Sequence, residues 1–129
     1  MTTHTAENAV PPLDGELEGL LEDLAAVQDP GIDQIIAGIR YLALTRHSID
    51  HSQTLIAAIA GGGDRTNLVT ALGKTIARLS DPATNPSLRT LPEDVQKNAR
   101  REGVNAAYWL ADPDLHQTAS ETCAAITHT

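Results

Sequence analysis

Residues 13–27 read LDGELEGLLEDLAAV, and this stretch indicates the class of the fold. Its large apolar residues recur at steps of four, three, four and three: Leu13, Leu17, Leu20, Leu24 and Val27. Because an α-helix has 3.6 residues per turn, this spacing collects the apolar side chains into one stripe, with Glu and Asp on the other faces. The stretch therefore predicts an amphipathic helix with a seam of the coiled-coil type.

The same periodicity continues along the chain and predicts helices only. The dipeptide Asp-Pro occurs at residues 29–30, 81–82 and 112–113, and each copy is typical of a helix start, with Asp as N-cap and Pro at the first helical position. From Pro30 to about Ala60 the spacing of Ile and Leu predicts one long helix, and breaks are expected near residues 29, 61–64, 80–91 and 112. No segment alternates β-branched or aromatic residues with polar ones, as strands do. The prediction is an all-α fold, a compact bundle of four to five helices with one long central helix and no β-sheet.

The length of 129 residues suits one domain. We expect a flexible leader at residues 1–12, which contains two prolines, followed by a single helical-bundle domain at residues 13–129. Aromatic residues make up only 2% of the chain, so the core must be aliphatic. The helix predicted after Pro92 has mostly small residues on its buried side, which lets a neighbouring helix approach closely. These residues are Val95, Ala99, Gly103, Ala106 and Leu110.

The charges are unevenly distributed. The net charge is -8, yet residues 65–101 hold seven of the nine Lys and Arg, while residues 1–30 hold seven acids and no Lys or Arg. The acidic first helix could therefore lie against the basic segment or compete for it. A nucleic-acid partner is not expected, because the chain as a whole repels phosphate. No apolar run approaches the roughly 20 residues of a membrane span, and the single Cys123, together with an N-terminus that lacks a secretory signal, suggests a cytoplasmic protein.

Residues 47–51 read HSIDH, which raises the question of a metal site. On a continuous helix His47 and His51 would lie on one face, since residues four apart are neighbours there. Two histidines are half of a zinc or di-iron site, and His116 is a candidate for the third ligand. The sequence HSIDH differs from the H-x-x-E-H motif of zinc proteases in having Asp50 in place of Glu, and the side chain of Asp is one methylene shorter. A metal-dependent helical-bundle enzyme is therefore the alternative interpretation.

The other face of the same predicted helix carries a second, weaker apolar stripe. We expect this stripe, three basic residues and one indole to contact a partner: Tyr41, Leu44, His51, Leu55, Lys97, Arg100, Arg101 and Trp109. The preferred interpretation is a non-enzymatic helical interaction module, an adaptor, regulator or assembly subunit of bacterial type that self-associates. It needs no catalytic residue and no cofactor. A second alternative is a DNA-associated regulator, which would use the three basic residues and would need a dimer to concentrate their charge.

Overall fold

The computed structural model describes residues 9–61 and 66–126. Within these ranges the chain forms α-helices and no strand, which confirms the all-α prediction. The helices are α1 (Gly15–Ala25), α2 (Pro30–Leu44), α3 (Ile49–Ile56), α4 (Leu68–Leu79), α5 (Glu93–Leu110) and α6 (Pro113–Ala125). A π-helical turn, Ala57–Gly61, continues α3, and a 3₁₀ helix, Pro86–Thr90, precedes α5. The chain divides into two compact units, Met1–His47 and Ser48–Thr129.

The first unit is a pair of helices, α1 and α2, joined by a short connection. Asp14 caps α1 by accepting a hydrogen bond from the backbone N–H of Leu17 (3.1 Å). Asp29 caps α2 by accepting from the backbone N–H groups of Gly31 (2.8 Å) and Ile32 (3.2 Å), with Pro30 at the first helical position. Between the helices Gln28 has a φ of 60°, in the left-handed region, which reverses the chain. The two helices therefore run antiparallel, and the first Asp-Pro prediction is confirmed.

The contact between α1 and α2 combines a small apolar core with an ion pair. Leu21 is 1% exposed and Ile36 is 7% exposed. Beside them both guanidinium nitrogens of Arg40 donate to the two carboxylate oxygens of Glu18, at 2.8 and 2.9 Å. These hydrogen bonds favour the charged carboxylate, so they hold the pKa of Glu18 below its ordinary value, and they raise the pKa of Arg40. One forked ion pair thus links the helices along the border of their core.

The segment predicted as one long helix is helical on both sides of an interruption at residues 45–48. The helix α2 ends at Leu44, and the backbone of Thr45 is extended. Ser48 is also extended, and its side chain accepts from the backbone N–H of His51 at 3.1 Å, which starts α3. Serine is a preferred N-cap because its hydroxyl satisfies an amide that the helix leaves without a partner. The periodicity of the apolar residues does not reveal this break.

The second unit begins with α3 and its π-helical turn, which pack against α6. Gln53 Nε2 donates to the carbonyl of Cys123 (2.9 Å), and Ser120 Oγ donates to the carbonyl of Gly61 (2.8 Å). A Cβ added at Gly61 would lie 3.3 Å from the backbone of Ala119 and Ser120. The α6 backbone therefore approaches the turn closely because a glycine stands there. The N-cap of α6 is Asp112, as its Asp-Pro sequence predicts, since Asp112 accepts from the N–H of Asp114 at 2.9 Å.

The helices α4 and α5 pack through two glycines, one from each helix. A Cβ added at Gly73 would lie 3.0 Å from Leu110 Cβ, and one added at Gly103 would lie 2.6 Å from Ser80 Cβ. The pairing of 73 with 110 and of 103 with 80 shows that the helices are antiparallel. The small stripe predicted on the helix after Pro92 does allow this close approach. The Asp-Pro prediction at residues 81–82 is wrong, because Asp81 starts a turn rather than an α-helix. Its side chain accepts a hydrogen bond from the N–H of Ala83 at 2.9 Å.

We predict that Gly103→Ala destabilises the second unit although alanine is the better helix former. The propensity gain is about 1 kcal/mol, whereas forcing a methyl group against Ser80 costs about 1–3 kcal/mol. The control is Gly38→Ala, because a Cβ at Gly38 meets nothing within 4 Å, so this variant should gain stability. Urea unfolding followed by circular dichroism compares them. Ser80→Gly should restore part of the loss in Gly103→Ala, and a Gly103→Ala variant as stabilised as Gly38→Ala would contradict the close contact.

We also predict that acid weakens the α1–α2 contact through Glu18. Because the pKa of Glu18 is lower in the folded chain, the contribution of its ion pair is complete above the unfolded pKa of about 4.3 and is lost as the pH falls through the lowered folded value. Glu18→Gln should remove this part of the pH dependence, while Glu16→Gln, which changes the net charge equally, should retain it. Urea unfolding of α1 and α2, followed by NMR at neutral and acidic pH, measures the difference. Equal pH dependence in the two variants would show that the ion pair contributes nothing.

Candidate interaction surfaces

The two histidines of HSIDH do not share a helix face, so the geometry expected of a metal pair is wrong. His47 precedes the N-cap Ser48, and its Nε2 lies 2.9 Å from the carbonyl oxygen of Leu42. His51 is in the first turn of α3. The relation between residues four apart holds only within one continuous helix, and the helix is interrupted here.

The third candidate ligand, His116, is held by the end of α5. It is 4% exposed, and its Nε2 lies 2.6 Å from the carbonyl oxygen of Leu110. Its Nδ1 is buried and has no hydrogen-bond partner among the described residues. Within residues 9–61 and 66–126 no three His, Cys, Asp or Glu side chains are grouped as a metal site requires. The set of His47, His51 and His116 therefore loses the geometry on which the metal alternative depended.

The second apolar stripe is divided in the same way. Tyr41 and Leu44 belong to α2 and are exposed, whereas His51 and Leu55 belong to α3. Since the backbone leaves the helix at residues 45–48, these four side chains do not belong to one helix, and the helical spacing from which the stripe was predicted does not extend across the break. That each of them contacts a partner stays a prediction.

One side of the α4–α5 pair is an apolar surface. Gly73 and Gly103 mark the line along which the helices touch, and at 100° per residue the large apolar residues of α4 fall about 60–140° to one side of it. In an antiparallel helix pair, residues that are rotated in the same sense from the contact line of their own helix lie on the same side of the pair. Counted from Gly103, the residues of α5 on this side are Val95 and Trp109, together with the polar Asn98 and Glu102. We call this surface the apolar face, and its large apolar side chains are all exposed: Leu68, Leu72, Ile76, Leu79, Val95 and Trp109.

The opposite side of the same pair is basic. We call it the basic face: Lys74 and Arg78 from α4, and Lys97, Arg100, Arg101, Val104 and Tyr108 from α5. Two shallow hollows lie on it, of about 260 and 320 Å³. Asp81 and Pro82, in the turn that follows α4, line the first hollow together with Lys97 and Arg100 of α5.

The cations of the basic face differ in their partners. Lys97 Nζ is 3.4 Å from a carboxylate oxygen of Glu93, and Arg101 Nε is 3.8 Å from Glu102. These pairs are exposed, so each contributes little to stability. In the described part of the chain Arg100 has neither an ion pair nor a hydrogen bond through its side chain, yet it lines both hollows. The side chain of Arg78 likewise has no such partner among the described residues, but only Arg100 of these two lines the hollows.

The predicted partner residues of α5 therefore lie on two surfaces. The structure brings Lys97, Arg100 and Arg101 together, and it places Trp109 on the opposite face, where 65% of this residue is exposed. The ring of Trp109 meets the edge of its neighbour Tyr108, with centroids 6.2 Å apart and planes at 83°. Sequence reasoning found these four residues but did not expect the leucines of α4 to be exposed, because their spacing at steps of three and four is that of a helix seam. The sequence did contain a signal for this exposure. The small residues of α5 need a small residue opposite them, and the small residue of α4, Gly73, lies off the leucine seam.

The first unit also has an exposed apolar surface. On α1 and α2, Leu20, Leu24 and Ile35 are exposed on the side of the helix pair away from the ion pair of Glu18 and Arg40. The apolar residues that these two helices bury are Leu21 and Ile36. This unit therefore has a small core and leaves much of its leucine seam in contact with solvent.

Comparisons with known proteins do not identify a relative. None of the helices among the described residues is both long and apolar enough to cross a membrane. The chain matches no protein-family model, no curated protein and no solved structure, so its function has to be argued from the chemistry of its surfaces.

Proposed function

We propose that this chain is a helical protein-interaction module without chemistry of its own, and that it pairs with a second copy of itself through the apolar face. The observation that carries the proposal is the exposure of that face. A soluble monomer rarely presents several large apolar side chains side by side, and such patches usually mark contact sites. Here five aliphatic side chains and one indole lie on one side of a helix pair.

The size of the face is sufficient for pairing. Complete burial of an exposed Leu or Ile contributes about 1.5–3 kcal/mol, and the side chains of this face are already partly covered. Leu79 is 61% exposed and Trp109 is 65% exposed, so most of their surface is still available. Two copies would bring together five aliphatic side chains each, and the gain is comparable with the association cost of about 4–15 kcal/mol.

A second copy is the partner that the geometry favours. In a two-fold dimer the same surface meets itself, so an apolar face is automatically complementary to its own copy. Two antiparallel helix pairs stacked in this way form a four-helix arrangement, which is a common way to bury such seams. On α4 this side carries aliphatic residues alone, and the carboxylate that α5 adds there, Glu102, lies 3.8 Å from Arg101 Nε, which offsets part of the repulsion between two copies with a net charge of -8 each.

The alternatives have less support. The metal-dependent enzyme has lost the helical pairing of His47 and His51. The DNA-associated regulator keeps one favourable observation, the basic face, and is therefore included below as an outcome of the binding experiment. A cytoplasmic location, expected from the single Cys123, belongs to the same proposal as the interaction function.

We predict that Leu72→Glu prevents self-association while Ala71→Glu does not. Both residues are exposed on α4 and both changes add one negative charge, but Leu72 lies on the apolar face, whereas Ala71 is turned from Gly73 in the direction of the basic face. A carboxylate buried at a dimer contact without a partner costs several kcal/mol, enough to shift a micromolar dimer to monomer. Light scattering of the full chain across a range of concentrations gives the mass, and circular dichroism verifies that each variant folds. A monomeric wild-type chain, or equal effects of the two changes, would refute the proposal.

A further inference from the structure

The basic face carries more positive charge than the rest of the molecule would suggest. Five of the nine Lys and Arg of the chain lie on this one side of the α4–α5 pair: Lys74, Arg78, Lys97, Arg100 and Arg101. All five are exposed. In a chain with a net charge of -8, such a concentration produces a local potential opposite in sign to the overall field.

Arg100 is the centre of this surface. It lies between the two hollows and lines both, and its guanidinium has no carboxylate partner among the described residues. A guanidinium presents its N–H groups in a fixed fork that matches the two oxygens of a carboxylate. Arg40 shows this geometry within the same chain, where it binds both oxygens of Glu18 at 2.8 and 2.9 Å. Arg100 is thus available to make the same contact with a carboxylate from outside.

The basic face also contains apolar side chains at helical spacing. Arg100, Val104 and Tyr108 follow one another at steps of four on α5, so they form one row on the helix surface. Val104 is 55% exposed and Tyr108 is 71% exposed. Val104 lines the second hollow together with Lys97 and Arg101. A ligand that covers this row has to offer both negative charge and apolar surface.

We propose that the basic face binds an acidic amphipathic helix of a partner protein. Such a helix presents carboxylates and aliphatic side chains at steps of three and four, the same spacing as the row of Arg100, Val104 and Tyr108. It can direct its few carboxylates to Arg100 and Lys97 and keep them away from Asp81 and Glu93, which also line the first hollow. A nucleic-acid backbone fits less well, because its phosphates follow one another at fixed short intervals and make no use of Val104.

This inference does not depend on self-association. The apolar face and the basic face lie on opposite sides of the α4–α5 pair, so a dimer formed through the former leaves the latter exposed. A chain that stays monomeric can therefore still bind an acidic helix, and a chain that forms dimers can fail to bind one. The two proposals can thus fail separately.

The test is fluorescence anisotropy with the full chain and two labelled probes. One probe is a synthetic helical peptide with Glu and Leu at steps of three and four, and the other is duplex DNA, each at low and at physiological salt. Arg100→Glu is the test variant. Arg46→Glu is the matched control, because Arg46 is an exposed arginine before α3, outside the α4–α5 pair, and its reversal changes the net charge equally.

The wild-type chain should bind the peptide, Arg100→Glu should bind it about tenfold or more weakly, and Arg46→Glu should bind it nearly as the wild type does. Arg100→Gln, which removes the charge without reversing it, should give an intermediate loss, and it serves as the test variant if Arg100→Glu does not fold. The proposal is overturned if the wild-type chain does not bind the peptide. It is also overturned if both arginine reversals weaken binding equally, which indicates a nonspecific attraction, or if DNA binds more tightly than the peptide, which would support a DNA-associated regulator.

Discussion

The contact of Gly73 and Gly103 with the facing helix determines what the second unit presents to solvent. A Cβ at Gly103 would come within 2.6 Å of Ser80 Cβ, so the α4 and α5 backbones are as close as glycine allows. Because helices that touch through a small residue expose the sides flanking the contact, this line fixes the orientation of every other residue on both helices. The leucine seam of α4 turns to one side, and the cations of α4 and α5 turn to the other.

This arrangement gives the helix pair two surfaces of opposite character. The apolar face is suited to burial against a second copy, and the basic face is suited to a ligand with carboxylates. Since the two lie on opposite sides, a dimer through the apolar face would present two basic faces outward. A protein built in this way would join self-association to the binding of an acidic partner, with two equivalent sites that raise the effective affinity for a partner carrying more than one acidic helix.

The first unit depends on other interactions for its stability. Its two helices bury Leu21 and Ile36, a small core for a helix pair. At 47 residues the unit is close to the length of about 40 below which an apolar core alone rarely gives stability. The forked ion pair of Glu18 and Arg40 and the caps from Asp14 and Asp29 therefore matter more here than in a large core. The exposed Leu20, Leu24 and Val27 show that much of the seam in residues 13–27 is still available for contacts.

The sequence by itself determined the features that depend on near neighbours in the chain. Helical periodicity predicted the all-α fold, Asp29 and Asp112 marked two helix starts, and the small stripe around Gly103 indicated a close helix contact. Capping and periodicity operate over three or four residues, so they can be seen in a linear sequence.

Only the tertiary structure decided which helix faces meet. The break at residues 45–48, where Ser48 starts a new helix, separated His47 from His51 and divided the second stripe, because a cap and a continued helix differ by little in local energy. The leucines of α4 looked like a core seam, yet they are exposed because Gly73 rather than the seam contacts α5. That choice depends on Ala107 and Leu110, more than thirty residues away along the chain, and no local pattern contains it.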